Sequence, residues 1–283
     1  MNLRKNRAFA FVMVSIAYLL AIVAGVVCYH YLPFAFWLNL LIADILATVV
    51  VFIFSVAFKN ASFYDPYWSV QPIVILVALA CKYSLSGASV LPFIAVMVWG
   101  IRLTANWAYT FKDLNWQDWR YTMLKEKTGK FYPIINFVGI HLVPTLVVYG
   151  CILPAAFTFV YGGDINVGSV LFFALSLGAT CLQGTADIQM HRFRKTGTGG
   201  FIRDGLWKYS RHPNYLGEIL MWWGIGFAAV CIMPTRWYLL AGALANTLLF
   251  IFVSLPMAEK RQSRKEGFAE YKKQTRMLLP IKK

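Results

Sequence analysis

The residues best equipped for chemistry lie in the C-terminal half of the chain. Gln183, Asp187, His191 and Arg194 recur at i, i+4, i+8 and i+11, which lines them along one face of a helix. A glycine-rich stretch, Thr196-Gly197-Thr198-Gly199-Gly200, follows. The next segment, Phe201 to Glu218, carries Arg203, Trp207, Arg211, His212, Asn214, Tyr215 and Glu218. The His212-Pro213 pair stops one element, and Asn214 can cap the next helix, so that Asn214, Glu218 and Trp222 share its face. Together these residues suit a nucleotide-like ligand. Phosphates want Arg, Lys and helix N-terminal amides. Hydroxyls and a carboxamide want Asp, Glu and Asn, and a flat ring wants an indole or phenol beside it. Ordinary loop charge accounts for the Lys and Arg, but not for Asp187, Asn214 and Glu218 in register. The glycines are not a dinucleotide fingerprint, because no strand precedes them and their spacing differs.

A second set of polar residues sits inside apolar runs, where ionisable groups are costly and functional by default. Asp44 and His141 are isolated and read first as satisfied interhelical hydrogen-bonders, with a functional role as the alternative. Asp65 stands in Tyr64-Asp65-Pro66-Tyr67-Trp68-Ser69, where acid, phenol and indole meet at the mouth of a helix that Pro66 can start. An interfacial aromatic belt explains the same segment. Arg102 and Asn106 lie one turn apart, with Trp99 before them and Tyr109 after, and make a polar stripe. Arg102 needs an anion, and Asp65 or Asp44 is the expected supplier.

The elements that must position these groups are membrane helices. Hydrophobic residues make up 59% of the 283 and charged ones only 14%, with a mean hydropathy of +0.58. A soluble domain is about half apolar and a quarter charged, so a soluble enzyme, a disordered chain and a nucleic-acid-binding domain are excluded. Eight runs reach spanning length, roughly 8–30, 34–58, 67–84, 88–109, 134–161, 167–190, 214–233 and 236–258. The first follows Arg4, Lys5 and Arg7 but is longer than a signal-peptide core, and reads as a retained anchor.

The 27 Lys and Arg against 12 Asp and Glu give +15. With the N-terminus inside, 24 of the basic residues fall on the inner side, only Lys82 and Arg236 fall outside, and Arg102 lies within a helix. The expected fold is an all-α polytopic membrane bundle of seven to eight transmembrane helices with both termini cytoplasmic. It forms one integral domain over residues 1–283. Residues 1–133 make much of a substrate pocket, and residues 134–283 provide the cofactor-binding helices, loops and tail. Cys28, Cys81, Cys151, Cys181 and Cys231 show no CxxC pair or ligand spacing. They read as buried small apolar residues rather than as a disulfide framework or metal site.

The segment Arg203-Asp204-Gly205-Leu206-Trp207, followed by Arg211-His212-Pro213-Asn214-Tyr215-Leu216-Gly217-Glu218, resembles the C-terminal signature of the steroid 5-alpha-reductase superfamily. Glu259, Phe268-Ala269-Glu270-Tyr271 and Leu279-Pro280 fit the same pattern, as does Asp187 ahead of Arg194. The likeness is specific over roughly residues 180–283. Tyr64–Ser69 and Trp99–Trp107 resemble a bacterial branch whose members mostly lack an assigned substrate. The resemblance implies NADPH held by the C-terminal helices and cytoplasmic loops. Asp187, Arg194, Asn214 and Glu218 fall on cofactor-contacting positions, joined from the same stretch by His191, Arg203, Arg211 and His212. Trp207 and Tyr215 match positions flanking the cofactor in sterol reductases, and Glu259, Arg264 and Tyr271 lie in the tail that closes over it.

The implied reaction is hydride transfer to a carbon–carbon double bond conjugated to a carbonyl, in a steroid-like or other lipophilic molecule. Charge then builds on the carbonyl oxygen, and a fixed donor there lowers the barrier. Asp65 or Tyr67, with Trp99 and Arg102 behind, are the catalytic candidates. Here the chain departs from the steroid reductases. It has no clean match to their Glu, and Trp99 stands where their Tyr would be, where an indole cannot donate a proton in the same way.

Two rival readings share these residues. An S-adenosylmethionine-dependent isoprenylcysteine-type methyltransferase has a similar Arg-His-Pro-x-Tyr pattern. Loop 191–213, with six basic residues against Asp204, suits the polyanion NADPH better than a sulfonium cation. A non-catalytic lipid- or sterol-binding membrane protein is the other. The expected partners are a lipophilic small molecule and membrane lipids, with no nucleic acid. The expected setting is the bacterial inner membrane with active-site loops in the cytoplasm.

Overall fold

The structure is a computed structural model describing residues 3–280, and it is helical. No strand occurs among the described residues, where Ser210 and Arg276 form a lone β-bridge. The helices are α1 (Arg7–Tyr31), α2 (Phe36–Ala57), α3 (Tyr67–Tyr83), α4 (Gly87–Thr110) and α5 (Trp119–Thr128), followed by the single turn α6 (Tyr132–Ile134). A π-helical stretch, Ile135–Leu142, feeds α7 (Val143–Tyr161). Then come α8 (Val167–Lys195), α9 (Pro213–Ile232) and α10 (Ala241–Leu249), a second π-helical stretch (Phe250–Ser254), α11 (Leu255–Gln262) and α12 (Phe268–Gln274).

Among the described residues, seven helical stretches are long and apolar enough to cross a membrane: α1, α2, α4, the run Trp119–Tyr161, α8, α9 and the run Pro234–Gln262. The eighth expected span, 67–84, falls short. Helix α3 has 17 residues where a span needs about 20, and Ser69 and Gln71 make its beginning polar. On the crossing helices Leu19, Ile53, Leu171 and Phe252 are each more than half exposed, at 62, 58, 63 and 71%. Side chains of that kind, so uncovered, belong against lipid rather than water. The protein is an integral membrane protein. Among the cysteines, only Cys151 is buried, while Cys81 and Cys181 are exposed, because they sit on outward helix faces. The reading of all five as buried is corrected accordingly. Lys282 and Lys283, counted with the basic tail, lie outside the described residues.

Local chemistry sets the helix starts. The Asn6 side chain accepts from the Phe9 amide at 3.0 Å to open α1. Asn166 and Ser169 form a reciprocal capping box on α8, and Pro213 occupies the first turn of α9, where no N–H is needed.

The chain divides into two compact units. The first comprises Met1–Lys82 and Leu103–Leu153, the second Tyr83–Arg102 and Pro154–Lys283. In the first, the core gathers Val14, Tyr18, Val51, Phe63, Tyr64 and Tyr67. In the second, α8 and α9 lie in near-backbone contact. A Cβ on Gly217 would meet the Ala179 carbonyl oxygen at 2.7 Å, and one on Gly224 the Phe172 carbonyl oxygen at 2.8 Å. Only glycine allows that approach, as at small-residue seams of membrane helices. This seam fixes which α8 side chains meet which on α9.

Candidate functional site

In the second unit the expected polar residues form one connected string. Arg102 donates from Nη1 to Asp187 Oδ2 at 2.8 Å and from Nη2 to Gln183 Oε1 at 2.5 Å. Gln183 then donates from Nε2 to Glu218 Oε2. Glu218 also accepts from Trp99 Nε1 at 2.8 Å and, at Oε1, from Trp222 Nε1 at 2.8 Å. The two indoles meet edge to face, with centroids 4.8 Å apart. Glu218 is 1% exposed. Its charge is held by three neutral N–H donors, with the Arg102 cation one amide away. Such a carboxylate survives burial only because each donor is fixed. The expectation that Asp65 or Asp44 would pair Arg102 is corrected: Asp187 does, because it lies one turn beyond Gln183 on α8.

The same unit leaves polar atoms without partners beside this string. Arg102 Nε and Asn214 Oδ1 are buried and unbonded. Asn214 lies one turn before Glu218 at the opening of α9, where an oxygen acceptor faces no protein donor. His191 is half-buried, and Arg194, Arg203 and Arg264 are exposed. The Lys265 ammonium lies below its usual range, through burial and then through the nearby Arg261 and Arg194 charges. Positive charge is thus concentrated there. An orphaned acceptor, a buried carboxylate and a basic rim fit a nucleotide that carries hydroxyls, a carboxamide and phosphates.

Other expected site residues clasp the loop and tail to each other. Arg211 grips Glu259 with two bonds of 2.9 Å, Nε to Oε1 and Nη2 to Oε2. Its Nη1 also donates to the Thr275 carbonyl. His212 Nε2 meets Glu259 Oε1 at 2.8 Å, and its ring stacks on Tyr215 at 5.3 Å. Trp207 donates to the Ala186 carbonyl at 3.2 Å. The Tyr271 hydroxyl donates to the Trp207 carbonyl, and burial raises that phenol above its usual range. These contacts set the loop against α8, α11 and α12.

The first unit holds a separate polar cluster. Asp44, 4% exposed, accepts the Tyr67 hydroxyl at 2.8 Å on Oδ1 and Gln71 Nε2 at 2.7 Å on Oδ2. Hydroxyls extend it: Thr48 Oγ1 lies 3.0 Å from Thr145 Oγ1, which lies 2.9 Å from the Tyr64 hydroxyl. His141 is fully buried, its Nδ1 on the Asn136 carbonyl at 2.9 Å and its Nε2 unbonded. Asp44, Tyr67 and Gln71 line a cavity of about 490 Å³ among α1, α2 and α3. Asp65 does not line it. Its carboxylate accepts from the Tyr121 hydroxyl at 2.6 Å, and burial lifts its pKa to about 6.

Two features escaped the sequence. Asp44 read as isolated, although Tyr67 and Gln71 stand one turn apart, the spacing that lets two donors grip one acid. The part of Trp99 as a donor to Glu218 had no local signal, since the partners are 119 residues apart.

No solved structure matches the chain. An uncharacterized protein of Schizosaccharomyces pombe is 25% identical over 224 residues, covering 69% of this chain and 64% of the relative. The chain therefore spans less than two thirds of that relative's length. The model of a family described as a protein of unknown function, DUF1295, matches residues 51–275, and the chain belongs to that family.

Proposed function

We propose that the protein is a membrane-embedded, NADPH-dependent reductase acting on a carbon–carbon double bond conjugated to a carbonyl in a lipophilic molecule. DUF1295 is a steroid 5-alpha-reductase-like family, which suggests an oxidoreductase. The observation that carries the reading is the string Asp187–Arg102–Gln183–Glu218 beside the orphaned Asn214 Oδ1.

In this reading Glu218 and Asn214 offer acceptor oxygens to a carboxamide N–H and to hydroxyls. Arg194 and Lys265 give phosphates positive charge in a partly dry setting, where each contact is stronger than in water, and His191 offers a ring N–H beside them. NADPH, when bound, supplies the hydride. Gln183 and the two indoles keep Glu218 in one orientation, so no reorganisation is needed when a ligand arrives. Tyr67 lines the cavity beside Asp44: when the Asp44 carboxyl carries a proton it donates to Tyr67, and the phenol O–H is then free to polarise a carbonyl oxygen there. That geometry favours Tyr67 with Asp44 over Asp65, which faces Tyr121. Trp99 and Arg102 become positioning residues for Glu218. In this reading the basic rim faces the cytoplasm, which the charge bias of the loops supports.

The test is a titration of the protein in nanodiscs with NADPH, NADP⁺ and S-adenosylmethionine, read by quenching of indole fluorescence. Saturable NADPH quenching, weakened about tenfold in Arg194→Ala and Asn214→Ala by loss of a charge-assisted or buried hydrogen bond, supports the reading. S-adenosylmethionine binding without NADPH binding makes the protein a methyltransferase. Binding of neither overturns both enzyme readings.

A further inference from the structure

Helix α10 carries two polar residues, Asn246 and Thr247, in an otherwise apolar run. Thr247 is fully engaged: it donates to the Ala243 carbonyl at 2.8 Å and accepts from Trp223 Nε1 at 2.9 Å. Asn246 is not. It is 2% exposed, and its Nδ2 has no acceptor. An amide donor kept dry and unbonded destabilises the fold that holds it. A polar group retained at such a cost inside a membrane helix points to a ligand.

Two contacts fix where that donor lies. The Phe250 and Tyr215 rings meet with centroids 4.9 Å apart, and Thr247 holds Trp223, so α10 runs antiparallel to α9. Asn246 stands one turn before Phe250 on the same face, which sets it level with α9 between Glu218 and Trp222. Glu218 has acceptor capacity left at that level. Its Oε2 takes Trp99 and Gln183, whereas Oε1 takes Trp222 alone among the described residues, and a carboxylate oxygen can accept two bonds.

We infer that Asn246 is a cofactor-binding residue that donates from Nδ2 to the carboxamide oxygen of the nicotinamide, while Glu218 Oε1 accepts the carboxamide N–H. The inference rests on the reductase reading and supplies what that reading lacks. Glu218 and Asn214 are acceptors, and a carboxamide also presents an oxygen that needs a donor. With the donor on α10 and the acceptor on α9, the carboxamide fits one way round. Reversed, its oxygen would face the carboxylate and its N–H the Asn246 amide.

A residue that waits for a ligand behaves differently from one that bonds two helices. Asn246→Leu, close in size, removes an unpaired polar group and should leave the ligand-free thermal midpoint at or above that of wild type. The probes are NADP⁺, its thionicotinamide analogue, in which a weakly accepting sulfur replaces the carboxamide oxygen, and 2′-phospho-ADP-ribose, which lacks the nicotinamide. Each is titrated calorimetrically into the protein in phosphatidylcholine nanodiscs. Asn246→Leu should weaken NADP⁺ roughly fivefold, as loss of one buried hydrogen bond does, bring it down to the thionicotinamide analogue, and leave 2′-phospho-ADP-ribose unchanged. Unchanged NADP⁺ affinity in the variant overturns the inference. So does a lowered ligand-free midpoint in Asn246→Leu, or loss of 2′-phospho-ADP-ribose binding in both Asn246→Leu and Asn246→Ala, since either makes the residue structural. A wild-type protein that binds neither NADP⁺ nor 2′-phospho-ADP-ribose defeats the reductase reading itself. One that binds both with equal affinity keeps the reading and defeats this inference alone.

Discussion

The two units bury carboxylates in different ways. In the first, Asp44 is held by a phenol and an amide, with no cation among its partners, at the end of an apolar cavity. In the second, Glu218 is also held by neutral donors, but an amide couples it to an Arg102–Asp187 ion pair. A buried charge must be either neutralised or heavily hydrogen-bonded. The first unit uses hydroxyls, which can hold or pass a proton and suit a lipophile with one oxygen. The second uses guanidinium and indole, which cannot give up protons at physiological pH and suit the fixed recognition of a charged ligand. The difference separates a proton-handling region from a ligand-gripping one.

The largest test of that contrast removes the cation. Arg102→Met should strip Asp187 of its partner and leave the Gln183 carbonyl without its donor. Breaking such a pair costs about 3–5 kcal/mol when fully buried. Arg102 and Asp187 are 20 and 16% exposed, so the lower end, about 3 kcal/mol, is expected as a drop in thermal midpoint together with loss of NADPH binding. An Arg102→Met protein that keeps both its midpoint and its NADPH affinity would show that the string is not a unit.

Next in size is the seam. Gly224→Ala adds a Cβ 2.8 Å from the Phe172 carbonyl oxygen, and overpacking of this kind costs about 1–3 kcal/mol. Because α8 carries Gln183 and α9 carries Glu218, the same change should weaken NADPH binding even though residue 224 touches no proposed ligand. The matched change Gly25→Ala in the first unit meets the Ala43 carbonyl at 3.4 Å, an ordinary contact, and should leave NADPH binding alone. Equal effects of the two on NADPH affinity would erase the contrast.

How much of this was legible in the sequence depends on the distance between partners along the chain. The apolar runs announced the helices, and i, i+4 spacing put Asp187 with Gln183, and Glu218 with Asn214, on single faces. The same rule, applied to Tyr67 and Gln71, would have exposed the grip on Asp44, but one acid in an apolar run offered no reason to look 23 residues away. Trp99 to Glu218 and Arg102 to Asp187 join α4 to α8 and α9, and helix periodicity carries no information about partners on other helices. The basic residues were legible as loop charge, yet not their division into a clasp, Arg211 on Glu259, and an exposed rim, Arg194 with Arg203 and Arg264. That division depends on where α11 and α12 return. Helix α3 was overcounted as a span because hydropathy averages across Ser69 and Gln71, the residues that make it polar at the cavity.

Parallel glutamines sharpen the comparison at smaller scale. Gln71→Leu removes one donor from Asp44, and Gln183→Leu removes one from Glu218 while also cutting its link to Arg102. Leaving a buried acceptor short of a bond costs about 1–3 kcal/mol. Both proteins should be destabilised within that range in chemical denaturation. Gln183→Leu should weaken NADPH and spare the lipophile, and Gln71→Leu should do the reverse. If each variant affects both ligands alike, the division of labour between the units is wrong.

The smallest expected effect is a pH dependence in the first unit. Burial raises the Asp65 carboxyl from its usual value to about 6, so the folded protein holds that proton more tightly than the unfolded chain does. By linkage, the stabilising contribution is present at low pH and is lost as pH rises from near 4 through about 6, where the folded group ionises against its burial. Other carboxylates titrate over the same interval, so the quantity to measure is the difference between wild type and Asp65→Asn. Asparagine keeps an oxygen that can accept the Tyr121 hydroxyl bond of 2.6 Å but cannot ionise. The variant's thermal midpoint should lie close to wild type at pH 4 and a few degrees above it at pH 7, and its NADPH-dependent turnover should persist, because Tyr67 and Asp44 hold the proton in this scheme. Full loss of turnover in Asp65→Asn, with folding intact, would move proton handling from the cavity to the Asp65–Tyr121 pair. It would also break the contrast at its first-unit end.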